Sequence, residues 1–185
     1  MNYLIHEKFG FPQLDSFVDM SKGSMSVGGY FTEMLDPTMN WDDVASLVEF
    51  WDGQFCLKGV MSVEDAKRAV EIGCTGIVVS NHGGRQLDGG RSSFDQLEEI
   101  VGAVGDQIDV ILDSGIQRGS HVLKALSLGA KAVGGGRFYL YALAAAGGQG
   151  VERALQIMHE EIERDMRLMG VSSIQELSRD NLRFR

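Results

Sequence analysis

The chain has 185 residues, 44% of them hydrophobic and 23% charged, and a formal net charge of −9. That is the composition of a globular protein with room for one ordinary domain and its core. The acidic balance excludes nucleic acid as the main partner, since phosphate backbones need a basic surface, but a local arginine can still hold a small anion. Cys56 and Cys74 lie in apolar contexts without metal-ligand spacing, so both are expected as buried thiols in a reducing compartment, and no metal is expected. The opening stretch lacks a charged segment followed by a long apolar run, and no run is long enough to span a bilayer.

Residues 1–40 show little periodicity and read as a long loop-like segment, distinct from a folded region over 41–185. Asn40 is placed to cap a helix from Trp41 to about Trp51. The apolar run at 55–60 reads as a strand. Ser62 then caps a helix, with Asp65 three residues on, and Gly73 stops it. Residues 76–82 form a second apolar, β-branched strand, and SSFDQLEEIVGAVG a second helix of this kind. A third strand covers 109–115, followed by a helix ending near Gly129, and a fourth strand covers 132–138. The segment GVERALQIMHEEIERDMRLMG spaces Leu155, Met158, Ile162, Met166 and Met169 as one buried helical stripe.

Four βα units in succession predict an α/β fold with a parallel sheet. A doubly wound sheet and a (βα) barrel both place their sites at the carboxyl ends of the strands. Here every strand ends in residues fit for chemistry: Lys58, Ser80 with His82, Asp113, and Gly136 with Arg137. Convergence of all four on one point favours a barrel. A complete barrel has eight units in about 250 residues, so four units make half of one.

The stretch IVVSNHGGRQLDGG is the most informative. His82 brings an imidazole, a side chain suited to general-base work; the alternative is a histidine tied to the loop backbone. Arg85 can grip a carboxylate through two parallel hydrogen bonds; the alternative is an ion pair with Asp88 or Asp113. Lys58 can stabilise negative charge on a cofactor ring, or simply snorkel. Asp113 can orient His82 or hold a cofactor hydroxyl, or cap the next loop. The turns DSGIQRG and GGGRF precede helices, and helix N-termini favour phosphate, with Arg137 and Arg118 adding charge. Neither turn is a dinucleotide fingerprint, so a phosphate group alone is the reading. His6, His121 and His159 lack such a setting and read as surface or helix residues.

Taken together, LKGV, VVSNHGGRQLDGG, LDSGIQRG and SLGAKAVGGGRFYLYALA resemble the FMN-dependent 2-hydroxy acid oxidases and dehydrogenases, a TIM-barrel family. LDPTMNW and WDG are similar to its respiratory L-lactate dehydrogenase branch. The resemblance runs from about residue 26 to the end and covers the C-terminal half of the barrel. It implies FMN as cofactor and oxidation of an L-2-hydroxy acid, most simply L-lactate to pyruvate, with a quinone or cytochrome reoxidising the flavin. It implies Lys58 and Ser80 at the flavin ring, His82 as the base, and Arg85 on the substrate carboxylate. Asp113 would support both His82 and the cofactor. Gly136 and Arg137 would bind the FMN phosphate, with Arg118 adding charge there, and Gly115 would belong to the cofactor site. Two departures stand out: Gln117 replaces a common arginine, shifting the charge to Arg118, and Phe138 follows Arg137. The first four units, with a substrate-contacting tyrosine, have no counterpart, and Tyr3 and Tyr30 sit in loop-like sequence. The expected partners are therefore a homo-oligomer or an N-terminal half, with an inactive half-barrel awaiting that partner as the alternative. A cytoplasmic location is implied, with peripheral contact on the inner face of the membrane through residues such as Phe9, Phe11, Leu14, Phe17 and Val18.

Overall fold

The structure, a computed structural model, describes residues 34–183. The expectations for His6, Tyr3, Tyr30, the apolar residues from Phe9 to Val18 and most of the loop-like segment fall outside them. The chain divides after Asp43, and the sheet and site belong to the unit Val44–Arg185. Before that point, Asp36 Oδ1 accepts from the N–H of Thr38 at 2.8 Å. Asn40 Oδ1 accepts from Asp42 N at 2.8 Å while Asp43 Oδ2 accepts from Asn40 N at 2.9 Å. These side chains satisfy donors at the start of helix α1, Trp41–Trp51, as the Asn40 cap requires.

Four parallel strands follow: β1 Cys56–Val60, β2 Gly76–Val79, β3 Asp109–Asp113 and β4 Ala132–Gly134. They pair in sequence order, β1-β2-β3-β4. Helices α2 Val63–Glu71, α3 Ser93–Val104 and α4 Gly119–Ser127 make the crossovers, and α5 Gly136–Met169 follows β4. The first two crossovers begin where the sequence supplies a cap. Ser62 Oγ accepts from Asp65 N, and Ser92 Oγ from Asp95 N, both at 3.1 Å. Such caps stabilise a helix by about 1 kcal/mol each. Gly73 and Gly129, at φ +91 and +93, turn the chain out of α2 and α4.

The core lies between the sheet and these helices. Register sets Ile77 beside Val110 and Val79 beside Leu112. All four point to the helix side, against Leu97, Ile100 and Val104 of α3, and none is more than 1% exposed. Burying each such side chain is worth about 1.5–3 kcal/mol. The opposite face carries Lys58, Val78 and Ile111 in register and stays partly open.

Three expectations need correction. The fourth strand ends at Gly134, and Arg137 and Phe138 form the first turn of α5, because the glycine run breaks the extended chain. α5 is two helical segments joined at Ala146–Gly147, where φ/ψ leave the helical region. Its C-terminal segment has no buried apolar stripe: Leu155 is 55% exposed, and the buried residue is Glu161. Finally, Cys74 is buried but Cys56 is exposed, because Cys56 points to the open face of β1. No helix among the described residues is long and apolar enough to cross a membrane.

Candidate active site

The carboxyl ends of β1, β2 and β3 are tied together by one buried hydroxyl. Ser80, 3% exposed, follows the last residue of β2. Its Oγ donates to Asp113 Oδ2 at 2.5 Å and accepts from Lys58 Nζ at 2.9 Å and from His82 N at 3.1 Å. A hydroxyl offers one proton and two lone pairs, so Ser80 is saturated. Lys58 Nζ also stands 3.2 Å from Asp113 Oδ2. Burial pushes the Asp113 carboxyl up, but the hydrogen bonds from Ser80 and Lys58 and the Lys58 charge outweigh it and hold the group below the usual carboxylate range.

The histidine loop is fixed through its backbone. His82, Gly83 and Gly84 all have positive φ, at +57, +71 and +70. Three successive N–H groups are each taken by a side-chain oxygen: His82 by Ser80, Gly83 by Ser114 Oγ at 2.9 Å, and Gly84 by Asn81 Oδ1 at 3.0 Å. Asn81 also donates from Nδ2 to Arg91 O at 3.2 Å. Ser114 at φ +91 and His82 are two of only three non-glycine residues with positive φ among the described residues. Left-handed backbone at a non-glycine residue is unfavourable by about 1 kcal/mol or more and gathers where surrounding structure over-determines it.

These elements line a cleft of about 260 Å³ with Lys58, His82, Arg85, Asp113, Gly115, Gln117, Gly136 and Arg137 on its wall. The His82 ring makes no hydrogen bond and Arg85 no ion pair among the described residues, so neither alternative, a backbone-tied histidine ring or an Arg85–Asp pair, is seen. Arg137 donates to the main-chain oxygen of Gly83 rather than to an acid. Among the described residues the one carboxylate on the wall, Asp113, is already matched by Lys58, so two guanidinium charges face the cleft in a chain of net charge −9. A larger cavity of about 470 Å³ adjoins it and shares Gly83, Ser114, Gly115 and Arg137. The smaller cleft is the candidate site because the titratable groups converge there.

Such a cleft can hold an anion beside a base. The profile of the FMN-dependent dehydrogenase family matches residues 4–184. The chain belongs to that family. Among its relatives, the pre-mycofactocin synthase of Mycolicibacterium smegmatis is 52% identical over 141 residues, which is 76% of this chain and 35% of the relative. An L-lactate dehydrogenase of Acinetobacter baumannii is 47% identical over 154 residues, 83% of this chain and 40% of the relative. The flavin-binding domain of baker's yeast flavocytochrome b2 superposes with a TM-score of 0.75 at 45% identity, covering 79% of this chain and 38% of that one. The chain thus spans roughly two-fifths of the length of the proteins it matches. Its four βα units are a partial (βα) barrel.

The family's cofactor is FMN, and the residues present fit it. A methyl group placed on Gly115 or Gly136 would meet no atom within 4 Å, so both leave open space at the cleft wall. α5 starts there with no side-chain cap, leaving its first N–H groups for a phosphate, with Arg137 beside them. Arg118 does not line this cleft. Its guanidinium is turned onto Glu161, with Nε and Nη2 both 2.7 Å from Oε1, so the phosphate contact expected of it has no support in the geometry. Asp113 reaches His82 only through Ser80: its Oδ2 accepts from Ser80 Oγ, which in turn accepts from the main-chain N–H of His82, and Lys58 meets the same Oδ2.

Sequence reasoning missed Ser114, Asn81 and Glu161. Asn81 sat inside the quoted SNHGG motif and was passed over. Ser114 and Glu161 had no local signal, since each acts across more than thirty residues of chain.

Proposed function

We propose that the chain carries the substrate side of an FMN-dependent L-2-hydroxy acid dehydrogenase, with L-lactate oxidised to pyruvate. The observation that carries this reading is the cleft itself: an unpartnered imidazole, an unpaired Arg85 and an uncapped helix start with Arg137 share one wall. Arg85 holds the substrate carboxylate through a two-pronged charge-assisted contact. That places the C2 hydroxyl toward His82, which takes its proton as general base. Bound FMN would supply the acceptor for the C2 hydrogen and its two electrons. Lys58, held by Ser80 and Asp113, keeps a fixed positive charge at the cleft for the ring. Gly115, Gly136 and Arg137 hold the phosphate end.

Lactate is favoured by the kinship with L-lactate dehydrogenase, and a cytochrome as electron acceptor by the likeness to flavocytochrome b2, with a quinone as the other candidate acceptor. Anaerobic flavin bleaching by L-lactate, D-lactate, glycolate and L-mandelate tests the substrate. Fastest bleaching by L-lactate is expected, and a preference for mandelate or no bleaching by lactate would sink the assignment. The chain acts as a homo-oligomer or beside the other half of the barrel, at the inner face of the membrane. A second reading, an inactive half-barrel completed by a partner chain, is favoured by the open inner face of the sheet, where Val78 and Ile111 are only half covered. Anaerobic bleaching with the purified chain alone separates the two: flavin bleached by a 2-hydroxy acid without any added partner chain contradicts the inactive half-barrel.

A further inference from the structure

Glu161 is buried on the second segment of α5, outside the cleft wall, yet it holds one end of the loop that forms that wall. Its Oε1 takes Arg118 Nε and Nη2 at 2.7 Å each, and its Oε2 takes the main-chain N–H of Gly119 at 2.8 Å. Gly119 is the first residue of α4, and its N-cap, Arg118, offers no side-chain cap. Glu161 supplies that missing cap from a different helix, more than forty residues along the chain. The approach is close: a Cβ on Gly119 would come within 2.6 Å of both Glu161 Cβ and Ile162 N. Only glycine fits there. The Arg118 hydrogen bond first, then that from Gly119, keeps the Glu161 carboxyl below its ordinary range, so it stays an anion.

Residues 114–118 join β3 to α4. Ser114, Gly115, Ile116 and Gln117 line the cleft. Asp113 anchors one end of this loop to Ser80 and Lys58, and Glu161 anchors the other. Between them, His121 Nδ1 lies 3.2 Å from Gly115 O and 3.3 Å from Gln117 N. We infer that Glu161 is a positioning residue for the cofactor site, clamping Arg118 and Gly119 so that Gly115 presents its backbone to the phosphate end of FMN. The inference rests on the FMN reading above, and it gives Arg118 a role in place of direct phosphate contact.

The test uses the whole chain and two variants, Glu161→Gln and Glu161→Ala. Amide hydrogen exchange is followed at residues 114–119, with β2 as internal reference, and FMN affinity by fluorescence quenching. Alanine is expected to speed exchange in the loop about tenfold and to raise the Kd for FMN by a similar factor, with β2 unchanged. Glutamine, which keeps an acceptor for Gly119, is expected to fall between alanine and the parent. Unchanged loop exchange would overturn the clamp. Equal acceleration in loop and β2 would also overturn it, since that marks general loss of stability. Faster loop exchange with unchanged FMN affinity would overturn the link to the cofactor. If the parent chain quenches no FMN, the FMN reading itself fails before any variant is compared, and the exchange pattern still upholds or overturns the clamp.

Discussion

On the helix-covered face of the sheet, Ile77, Val79, Val110 and Leu112 are closed from solvent, whereas on the opposite face Lys58, Val78, Ile111 and Asp113 are partly open. The two faces alternate along the same strands, one residue apart, because strand side chains have a period of two. The covered face supplies stability through area removed from water. The open face carries polar residues at its carboxyl end, where Ser80 and Asp113 continue the rows of Val78 and Ile111. The comparison teaches that the site costs the fold little: its polar groups satisfy one another through Ser80 rather than drawing on the core.

The sharpest way to break that division is to change a residue of the open side and look for loss of chemistry without loss of fold. His82→Gln should lower the rate of flavin reduction by L-lactate about a thousandfold while FMN still binds and melting is unchanged. Loss of FMN binding instead would remove His82 from the role of base. The covered face should respond in the opposite way. Leu112→Ala should destabilise the chain by about 3 kcal/mol in chemical denaturation, and Ile111→Ala, one residue away, by only about 1 kcal/mol. Equal losses would mean the open face is as packed as the covered one. Arg85→Lys keeps the charge but loses the fork, so KM for lactate should rise about tenfold to a hundredfold with a smaller change in kcat. The smallest effect expected is on pH. The folded state lowers the carboxyl pKa of Asp113 and Glu161, so their contribution is full above the ordinary values of 3.8 and 4.5 and is lost as pH falls below these toward the lower folded values. Stability measured from pH 7 to pH 3 should therefore decline at the acid end, and Glu161→Gln should flatten part of that decline.

Much of the fold was legible because its signals are local. Ser62 caps a helix through the third residue on, and Gly73 and Gly129 end helices with positive φ. The apolar rhythm of four strands and the His82–Arg85 pair in one glycine loop could be read the same way, and the structure brings Lys58, His82, Arg85, Asp113, Gly136 and Arg137 to one cleft. The rest was set by tertiary partners that no window of sequence contains. Arg118 looked like a phosphate ligand until Glu161 was seen to occupy it. The stripe from Leu155 to Met169 had helical spacing, but the buried residue of α5 is Glu161, which meets α4 at Gly119. Arg137 looked like a strand residue because glycine runs carry no periodicity, and it opens a helix instead.

The central claim is that this cleft binds FMN and presents it to a 2-hydroxy acid. It is tested most directly by titrating the purified chain with FMN, following fluorescence quenching, and then adding L-lactate without oxygen. Saturable quenching followed by bleaching of the flavin absorbance is the result the account expects. Absence of quenching, or bound flavin that no 2-hydroxy acid bleaches, would contradict it.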